Sequence, residues 1–598
     1  MNGPTTLLQS LFDNAKRWSA TPALRYKTDG VWHDISWENY AQRVLTTARG
    51  LRAIGLQPGD MVAILSTNRV EWLVGDLGAL ALGCITVPVY PNSIPQQIQY
   101  ILEHCGAKAI YVENRAQADK VLSIRDNLPD LKTLIVLDGS GPEAEGVMNW
   151  EALIDKGAHS EASSNDEIQS HAEKLLPQSE ATIVYTSGTT GPPKGAVLSH
   201  GNIMAMAASL ARAMNVGPGD SSLSFLPLSH IAERLQGEIM AIRTGYTVNI
   251  GEGLEHVAAN LVEVEPTLLV CVPRLWEKYY SRIKSVSESA TGLRKKLFAW
   301  ARSVGTTAFN ERSARGQLSF PTRIRYRIAD RIVLGPLRKK LGMGKSKSFI
   351  SGAAPLSAEV GHFFASLGIP IQEVYGQTEC VGVCTFNPAE KPKFGTVGIP
   401  LEGMEIQIAD DGEILVHGPN VFLGYFRDEK ATAETVVNDW LHTGDVGEMD
   451  PEGYVRITDR KKDIIVTAGG KNVSPQNIEN RLKTFPGISQ VVVVGDKRKF
   501  LSALITLDRE GLSETWEGEL PEGEALTTDP TIHQRLQGYI DEANQELASY
   551  ETVKKFSILP EDFTVDSGEL TPSLKVKRRI IQKRYEGLID AFYEEKFE

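Results

Sequence analysis

The chain has 598 residues, too many for one compact core, and its 42% hydrophobic and 23% charged residues exclude a disordered or fibrous polymer. A net charge of −12 argues against general binding to nucleic acid. The five cysteines, Cys84, Cys105, Cys271, Cys380 and Cys384, are odd in number and lack CxxC spacing, which argues against a zinc site or a disulfide framework and suits buried thiols in a reducing compartment.

In chain order, residues 1–20 lack a basic segment followed by an apolar run and a small-residue cleavage site, so a cytoplasmic location is expected. Helix-like periodicity at 37–54 and 98–104 alternates with β-rich runs at 61–65, 85–89, 109–112 and 133–137. That order predicts parallel sheet covered by helices. The uncharged stretch 77–102 is broken by Pro88, Pro91 and Pro95 and is not a membrane span. A second series at 223–226, 247–250, 268–272, 347–350 and 371–374 predicts a second sheet layer. From about 395 to 458 short strands are separated by turn signals at Asp411-Gly412, Gly444-Asp445 and Glu452-Gly453, as in a small β-barrel or meander. Beyond Asp459 a new unit is expected, with helices at 475–484 and 529–550, a strand at 491–494 and a basic tail at 575–584; the acidic run 514–524 reads as a surface insertion. The fold class is α/β.

The run YTSGTTGPPKG at 185–195 follows a β-type segment and sets Thr186, Ser187, Gly188, Thr189, Thr190 and Gly191 ahead of Lys194. Such a loop can offer backbone amides and hydroxyls to phosphate oxygens. It is not a Walker A sequence, because Lys194 lies between Pro193 and Gly195 rather than between Gly and Ser or Thr. Four more segments follow: SGAAP at 351–355, YGQTE at 375–379, HTGD at 442–445, and DRKKD at 459–463 with GGKN at 469–472. In this order and at these separations the set resembles the adenylate-forming superfamily of acyl-CoA synthetases, luciferases and peptide-synthetase adenylation domains, over nearly the whole chain. LPLSHIAER at 226–234, VPRLWEK at 272–278, the basic insertion after them and ELTPSLKVKRR at 569–579 are similar to the patterns of long-chain fatty acyl-CoA synthetases. Segment 226–230 holds no acid to meet an ammonium, unlike the amino-acid-activating branch.

The resemblance implies an adenylate-forming fold: an N-terminal domain at 1–458 of two helix-covered sheets with a β-barrel-like part at about 395–458, a hinge at 459–463, and a mobile α+β C-terminal domain at 464–598. It implies ATP, Mg²⁺ and coenzyme A as cofactors and a fatty acid as substrate. A thiol cannot displace oxide from a carboxylate, so the acid is first joined to AMP and then passed to the thiol. Resemblance assigns Thr186–Thr190, Gly191 and Lys194 to the phosphates, and Thr186 with Glu379 to Mg²⁺. It places Gly352, Ala353, Ala354, Tyr375, Gly376, Gln377 and Thr378 around the nucleotide, and Asp445 and Arg460 on the ribose. Lys575 is the lysine expected to stabilise the adenylation transition state, although Leu574 stands where a glycine usually precedes it. Lys462 is the expected pivot, and Gly469, Gly470 and Lys471 would line a pantetheine channel after rotation. His230 and Trp276 are candidates for the acyl and thiol passage. The alternatives are a fatty acyl-AMP ligase that loads a carrier protein, and a non-catalytic acyl- or nucleotide-binding protein. Retention of Thr186, Glu379, Asp445, Arg460 and Lys575 speaks against the binder.

Charge is unevenly spread. Residues 282–347 contain 17 basic and three acidic residues, a net +14 that leaves −26 on the rest of the chain. Leu293, Leu297 and Ala301, and likewise Ile324, Ile328 and Ile332, recur at four-residue spacing among these cations and predict two amphipathic helices. Peripheral association of 282–347 with an anionic membrane, on its inner face, is expected.

Overall fold

A computed structural model describes residues 5–161, 163–186, 192–485, 487–513, 520–521, 523–571 and 575–594. The phosphate-loop candidates Ser187, Gly188, Thr189, Thr190 and Gly191, and most of the acidic insertion, lie outside them.

The β-branched runs between turn residues become the strands of two large sheets, as the period of the sequence predicts. In the first, of eight strands, Met61–Leu65 lies between Ile85–Val89 and Ala109–Val112 in parallel register, with Val62 beside both Thr86 and Ala109. The second has nine strands, including Ser221–Ser224, Thr247–Ile250, Leu268–Cys271, Ser348–Ser351 and Ile371–Tyr375, all parallel to their neighbours within that group. Strands buried on both faces need apolar side chains throughout, and ITVPV at 85–89 is buried at every position. Helix Val70–Ala81 is buried at every residue but Glu71, so it forms core rather than surface. Gly78 lets it approach helix Trp37–Ala53: a Cβ there would lie 2.7 Å from Thr47 Cγ2. All five cysteines are buried free thiols, and burial pushes Cys84 and Cys105 up to about 12.

The turn-rich segment forms a five-stranded sheet, antiparallel in every pairing, in which Trp440–Met449 pairs with Glu413–His417 and with Val455–Arg460. Beyond it Ile488–Val494, Leu501–Leu507 and Val553–Ile558 form a three-stranded sheet. Helices Pro475–Leu482 and Pro530–Asn544 share its core.

Element ends differ from expectation where a side chain captures the backbone. The strand expected at 223–226 runs from Ser221 to Ser224, because Asn68 takes over beyond it: its Nδ2 donates to Leu226 O at 2.7 Å and its Oδ1 accepts from Leu228 N at 3.0 Å. The helix expected to reach 550 stops at Asn544, whose side chain exchanges two hydrogen bonds with Val553. The basic tail is not simply solvated. Arg578 pairs with Glu479 at 2.8 Å and Arg584 with Glu569 at 3.1 Å, within helix Arg578–Arg584 or at its end.

Candidate active site

Parallel strands leave their following loops at one edge of a sheet, and a cleft opens there. Segments 225–227, 251–255, 272–274, 352–354 and 376–379, each following the end of a parallel strand in the nine-stranded sheet, line one cavity of about 2890 Å³. Thr186, from the eight-stranded sheet, and Asp445 and Arg460, from the five-stranded sheet, complete its wall.

Strands Glu180–Thr186 and Lys194–Ser199 are antiparallel, with Thr186 opposite Lys194. The glycine-rich loop is therefore the connection of a hairpin whose two ends are held in register, and Thr186 Oγ1 donates to Lys194 O at 3.3 Å. Lys194 is exposed, its Nζ 4.9 Å from the ring of Tyr425. The Tyr425 hydroxyl donates to Glu379 Oε1 at 2.7 Å, which leaves the second oxygen of this buried carboxylate unused by that contact. Among the described residues no group of three or more His, Cys, Asp or Glu could hold a metal by itself. One carboxylate and a threonine hydroxyl suit a Mg²⁺ that takes its remaining oxygen ligands from water and bound phosphates.

Opposite, Gly352, Ala353 and Ala354 line the cleft beside Tyr375, Gly376, Gln377 and Thr378. Ala353 has φ +70°, a left-handed conformation that costs an alanine free energy and turns the loop sharply past the cavity. Glu373, which the motifs did not single out, braces this loop: its Oε2 accepts from Leu356 N at 3.3 Å, and burial raises its carboxyl to about 7. The Tyr375 hydroxyl donates to Asp445 Oδ2 at 2.8 Å, and Arg460 Nε lies 3.3 Å from Asp445 Oδ1. Burial raises the Asp445 carboxyl, and the Arg460 guanidinium works against that shift.

Lys575 enters the same cleft from the C-terminal unit. Enclosure lowers its ammonium to about 8; Arg460 acts in the same sense, whereas Asp445 and Glu379 oppose it. His230 also lines the cleft, and burial, with the nearby Lys575 charge, lowers it to about 3. Its Nδ1 accepts from Ala232 N at 3.1 Å, so the neutral ring carries its proton on Nε2.

The expected residues do not all converge. Trp276 is not part of the cleft wall: it is fully buried, packs against Phe349 and Phe364, and donates to Ile350 O at 3.3 Å. Lys462 borders the cleft, but Gly469, Gly470 and Lys471 sit outside it at the exposed turn between Ile465–Val466 and Asn472–Val473. Gly470 has φ +73°, which glycine adopts without strain. Lysine 575 is thus engaged while the candidate thiol-channel loop is disengaged.

An apolar part of the cavity lining could be recognised only in three dimensions. Leu210, Met214, Leu235, Met240, Tyr246 and Val270 belong to it, five of them from four separate elements and Tyr246 from the turn before strand Thr247–Ile250. A π-helical turn, Leu235–Ile239, interrupts the helix there. It is anchored by Arg234, which is buried and donates to both Asp76 oxygens at 2.7 and 2.6 Å and to Glu238 at 2.9 Å.

Two family models match, the AMP-binding enzyme at residues 11–426 and the AMP-binding enzyme C-terminal domain at 462–597. The chain is 37% identical over 573 residues to the long-chain-fatty-acid–CoA ligase FadD15 of Mycobacterium bovis, covering 94% of this chain and 93% of that protein. It is 34% identical to the long-chain-fatty-acid–CoA ligase ACSBG2 of Rattus norvegicus, covering 99% and 93%. In fold it is similar to the adenylation domain of a carboxylate reductase from Mycobacterium chelonae, with TM-score 0.73, 22% identity and coverage of 99% and 92%. It is likewise similar to the anthranilate CoA ligase AuaEII in complex with anthranoyl-AMP, with TM-score 0.72, 19% identity and 98% of both chains. Five ordered motifs, a cleft that gathers most of their residues and a match over most of the chain agree: the protein belongs to the AMP-binding enzyme family.

Proposed function

We propose that the protein is a ligase that activates a long-chain fatty acid with ATP as acyl-AMP and transfers the acyl group to coenzyme A, releasing AMP and pyrophosphate. The observation that carries this reading is one cleft lined by two unlike sets of side chains. Thr186, Glu379, Asp445, Arg460 and Lys575 form a polar set, and Leu210, Met214, Met240 and Tyr246 an apolar one. The first suits a nucleotide and the second an alkyl chain.

In this reading Asp445 accepts hydroxyl protons from the ribose, Gly352–Ala354 and Tyr375 border adenine, and Thr186, the 187–191 loop and Lys194 hold phosphates. Glu379 and Thr186 would hold Mg²⁺, which neutralises phosphate charge when bound. Lys575 places an ammonium where negative charge grows as the acid oxygen attacks the α-phosphorus and pyrophosphate leaves. His230 Nε2–H is available to the carboxylate end of the acid. The 459–463 segment is the hinge between the 1–458 and 464–598 domains; rotation about Lys462 withdraws Lys575 and brings Gly469, Gly470 and Lys471 to the pantetheine arm. The location is cytoplasmic, with peripheral attachment to the inner face of an anionic membrane through 282–347.

Pyrophosphate exchange with a panel of carboxylates, followed by thioester formation with and without coenzyme A, tests the reading. Exchange that is strongest with long acids and thioester formed on free coenzyme A support it. Exchange without transfer to free coenzyme A would favour the carrier-loading alternative.

Two further results are expected. The protonated form of Lys575 is the active one and its value lies near 8, so kcat/KM for adenylation falls as pH rises through about 8. Bound triphosphate favours the ammonium, so the corresponding limb of kcat lies at higher pH. Lys575→Arg should erase the limb from the remaining activity, since a guanidinium stays protonated; a limb unchanged in that variant would assign it elsewhere. Separately, Gly470→Trp or Lys462→Pro should slow thioester formation at least tenfold or so while sparing adenylation, so that acyl-AMP accumulates in single-turnover experiments. Equal slowing of both steps would remove the hinge and channel assignments.

A further inference from the structure

Asn68 lies in the connection between strand Met61–Leu65 of the eight-stranded sheet and helix Val70–Ala81. It lines the cleft with Thr67 and Arg69, yet none of the groups proposed for the reaction comes from this segment. Both this segment and the 225–230 loop follow the carboxyl end of a parallel strand, where the two large sheets border the cleft.

The Asn68 side chain does not cap the helix that follows; Arg69 holds the cap position and gives no side-chain hydrogen bond there. It is committed to the other sheet instead. Its Nδ2 donates to Ser224 Oγ at 2.9 Å and to Leu226 O at 2.7 Å, and its Oδ1 accepts from Leu228 N at 3.0 Å. An amide that donates to one carbonyl and accepts from the N–H two residues on pairs with the chain as a neighbouring parallel strand would. Strand Ser221–Ser224 has ended there, and the Asn68 amide takes the place of its missing neighbour.

The two backbone contacts bracket Pro227. His230 N donates to Pro227 O at 2.8 Å, which closes the turn, and His230 Nδ1 accepts from Ala232 N at the start of helix Ile231–Arg234. Leu228 and Ser229 are buried behind the turn, while Phe225, Leu226, Pro227 and His230 form cleft wall. Upstream the chain is fixed by the strand and downstream by Arg234, so Asn68 holds the stretch between them.

We infer that Asn68 is a positioning residue for the carboxylate end of the acid. It sets the place of His230 and of the 225–227 wall, and it acts on the substrate through them. The inference rests on the reading of His230 as a neighbour of that carboxylate. A mere tie between the sheets would alter stability without distinguishing the acid from ATP.

The test has two parts, and the first uses the full chain without substrates. Amide hydrogen exchange in Asn68→Ala should quicken about tenfold or more within 225–230 and stay native in helix Val70–Ala81. In the second part, pyrophosphate exchange gives KM for ATP and for acids of increasing length. KM for the acid should rise about tenfold, by one factor at every length, while KM for ATP stays within about twofold, since the freed loop meets the head of the acid and not its tail. Asn68→Asp, which keeps the volume and the acceptor facing Leu228 N but loses both donors, should behave alike and serves if the alanine variant does not fold. Ser224→Ala leaves Leu226 and Leu228 held and should keep both KM values within about twofold of native. Unchanged hydrogen exchange at 225–230, an equal rise in both KM values, or a rise that grows with acid length would overturn the proposal. A native protein that activates no long acid would sink the functional reading instead, and hydrogen exchange would still decide whether Asn68 holds the loop.

Discussion

Lys575→Ala is expected to lower acyl-adenylate formation by roughly 10²–10³-fold, the loss seen when one preorganised charge or donor is removed from a developing anion. The same variant, supplied with acyl-AMP, should form thioester at close to the native rate. The asymmetry follows from geometry: Lys575 lies in the cleft beside Asp445, Glu379 and Arg460 while the turn that carries Gly469, Gly470 and Lys471 is outside it. A variant folded as judged by its melting transition, yet equally impaired in both halves, would show that Lys575 serves the cleft as a whole rather than one chemical step.

The second large effect concerns stability. Arg234 lies buried between Asp76 and Glu238, both fully buried, and also donates to Thr182 Oγ1 at 2.6 Å. Burial drives the Glu238 carboxyl well upward, with Asp76 adding to the shift and Arg234 opposing it. Replacing Arg234 by Met would leave carboxylates in the interior with no cation, and about 3–5 kcal/mol of stability should be lost. Chemical denaturation measures this. Adding Asp76→Asn and Glu238→Gln to Arg234→Met should restore part of it, because neutral amides need no counter-charge; a triple variant no better than the single one would mean that shape, not charge, is at stake. Arg234 also anchors the π-helical turn that brings Leu235 into the cavity wall, so any surviving single variant should bind its acid more weakly.

Most of the framework is legible in the sequence because its signals are local. A β-branched run such as 61–65 bounded by turn residues has few options, and the antiparallel strands after 404 turn at Asp411-Gly412 and Glu452-Gly453, whereas Gly444-Asp445, expected as a turn, lies within strand Trp440–Met449 opposite Glu413–His417 and Val455–Arg460. The polar end of the cleft is legible for a related reason: its residues come in short contiguous motifs that loops carry to one edge. What escaped is what depends on partners far apart in the chain. Nothing in the spacing around Arg234 pairs it with Asp76, 158 positions away, which it meets in the interior. Tyr425 and Glu379 are joined by one hydrogen bond across 46 residues, and no spacing rule announces it. Trp276 sits in a motif, yet its ring fills the space under Phe349 and Phe364. Composition alone does not separate an aromatic that lines a cavity from one that supports it. The isoleucine stripe at 324–332 has ordinary amphipathic spacing, and only the burial of Ala329 and Leu334 on the other side reveals that it faces out.

The apolar and the polar lining residues of the cleft draw on different stretches of chain. Leu210, Met214, Met240, Tyr246 and Val270 lie within 210–270, whereas the groups proposed to hold nucleotide fall at 186–194 and beyond 351. These five apolar side chains can therefore be exchanged without changing the residues proposed to hold nucleotide, provided His230, Arg234 and Glu238 in the same stretch are kept. A lineage built on this fold can explore new carboxylic acids by substitution in one internal segment, keeping the energy-coupling chemistry intact at every step. It follows that a change of acid preference should be reachable by grafting 203–270 from a relative with a different substrate, with ATP affinity carried over unchanged.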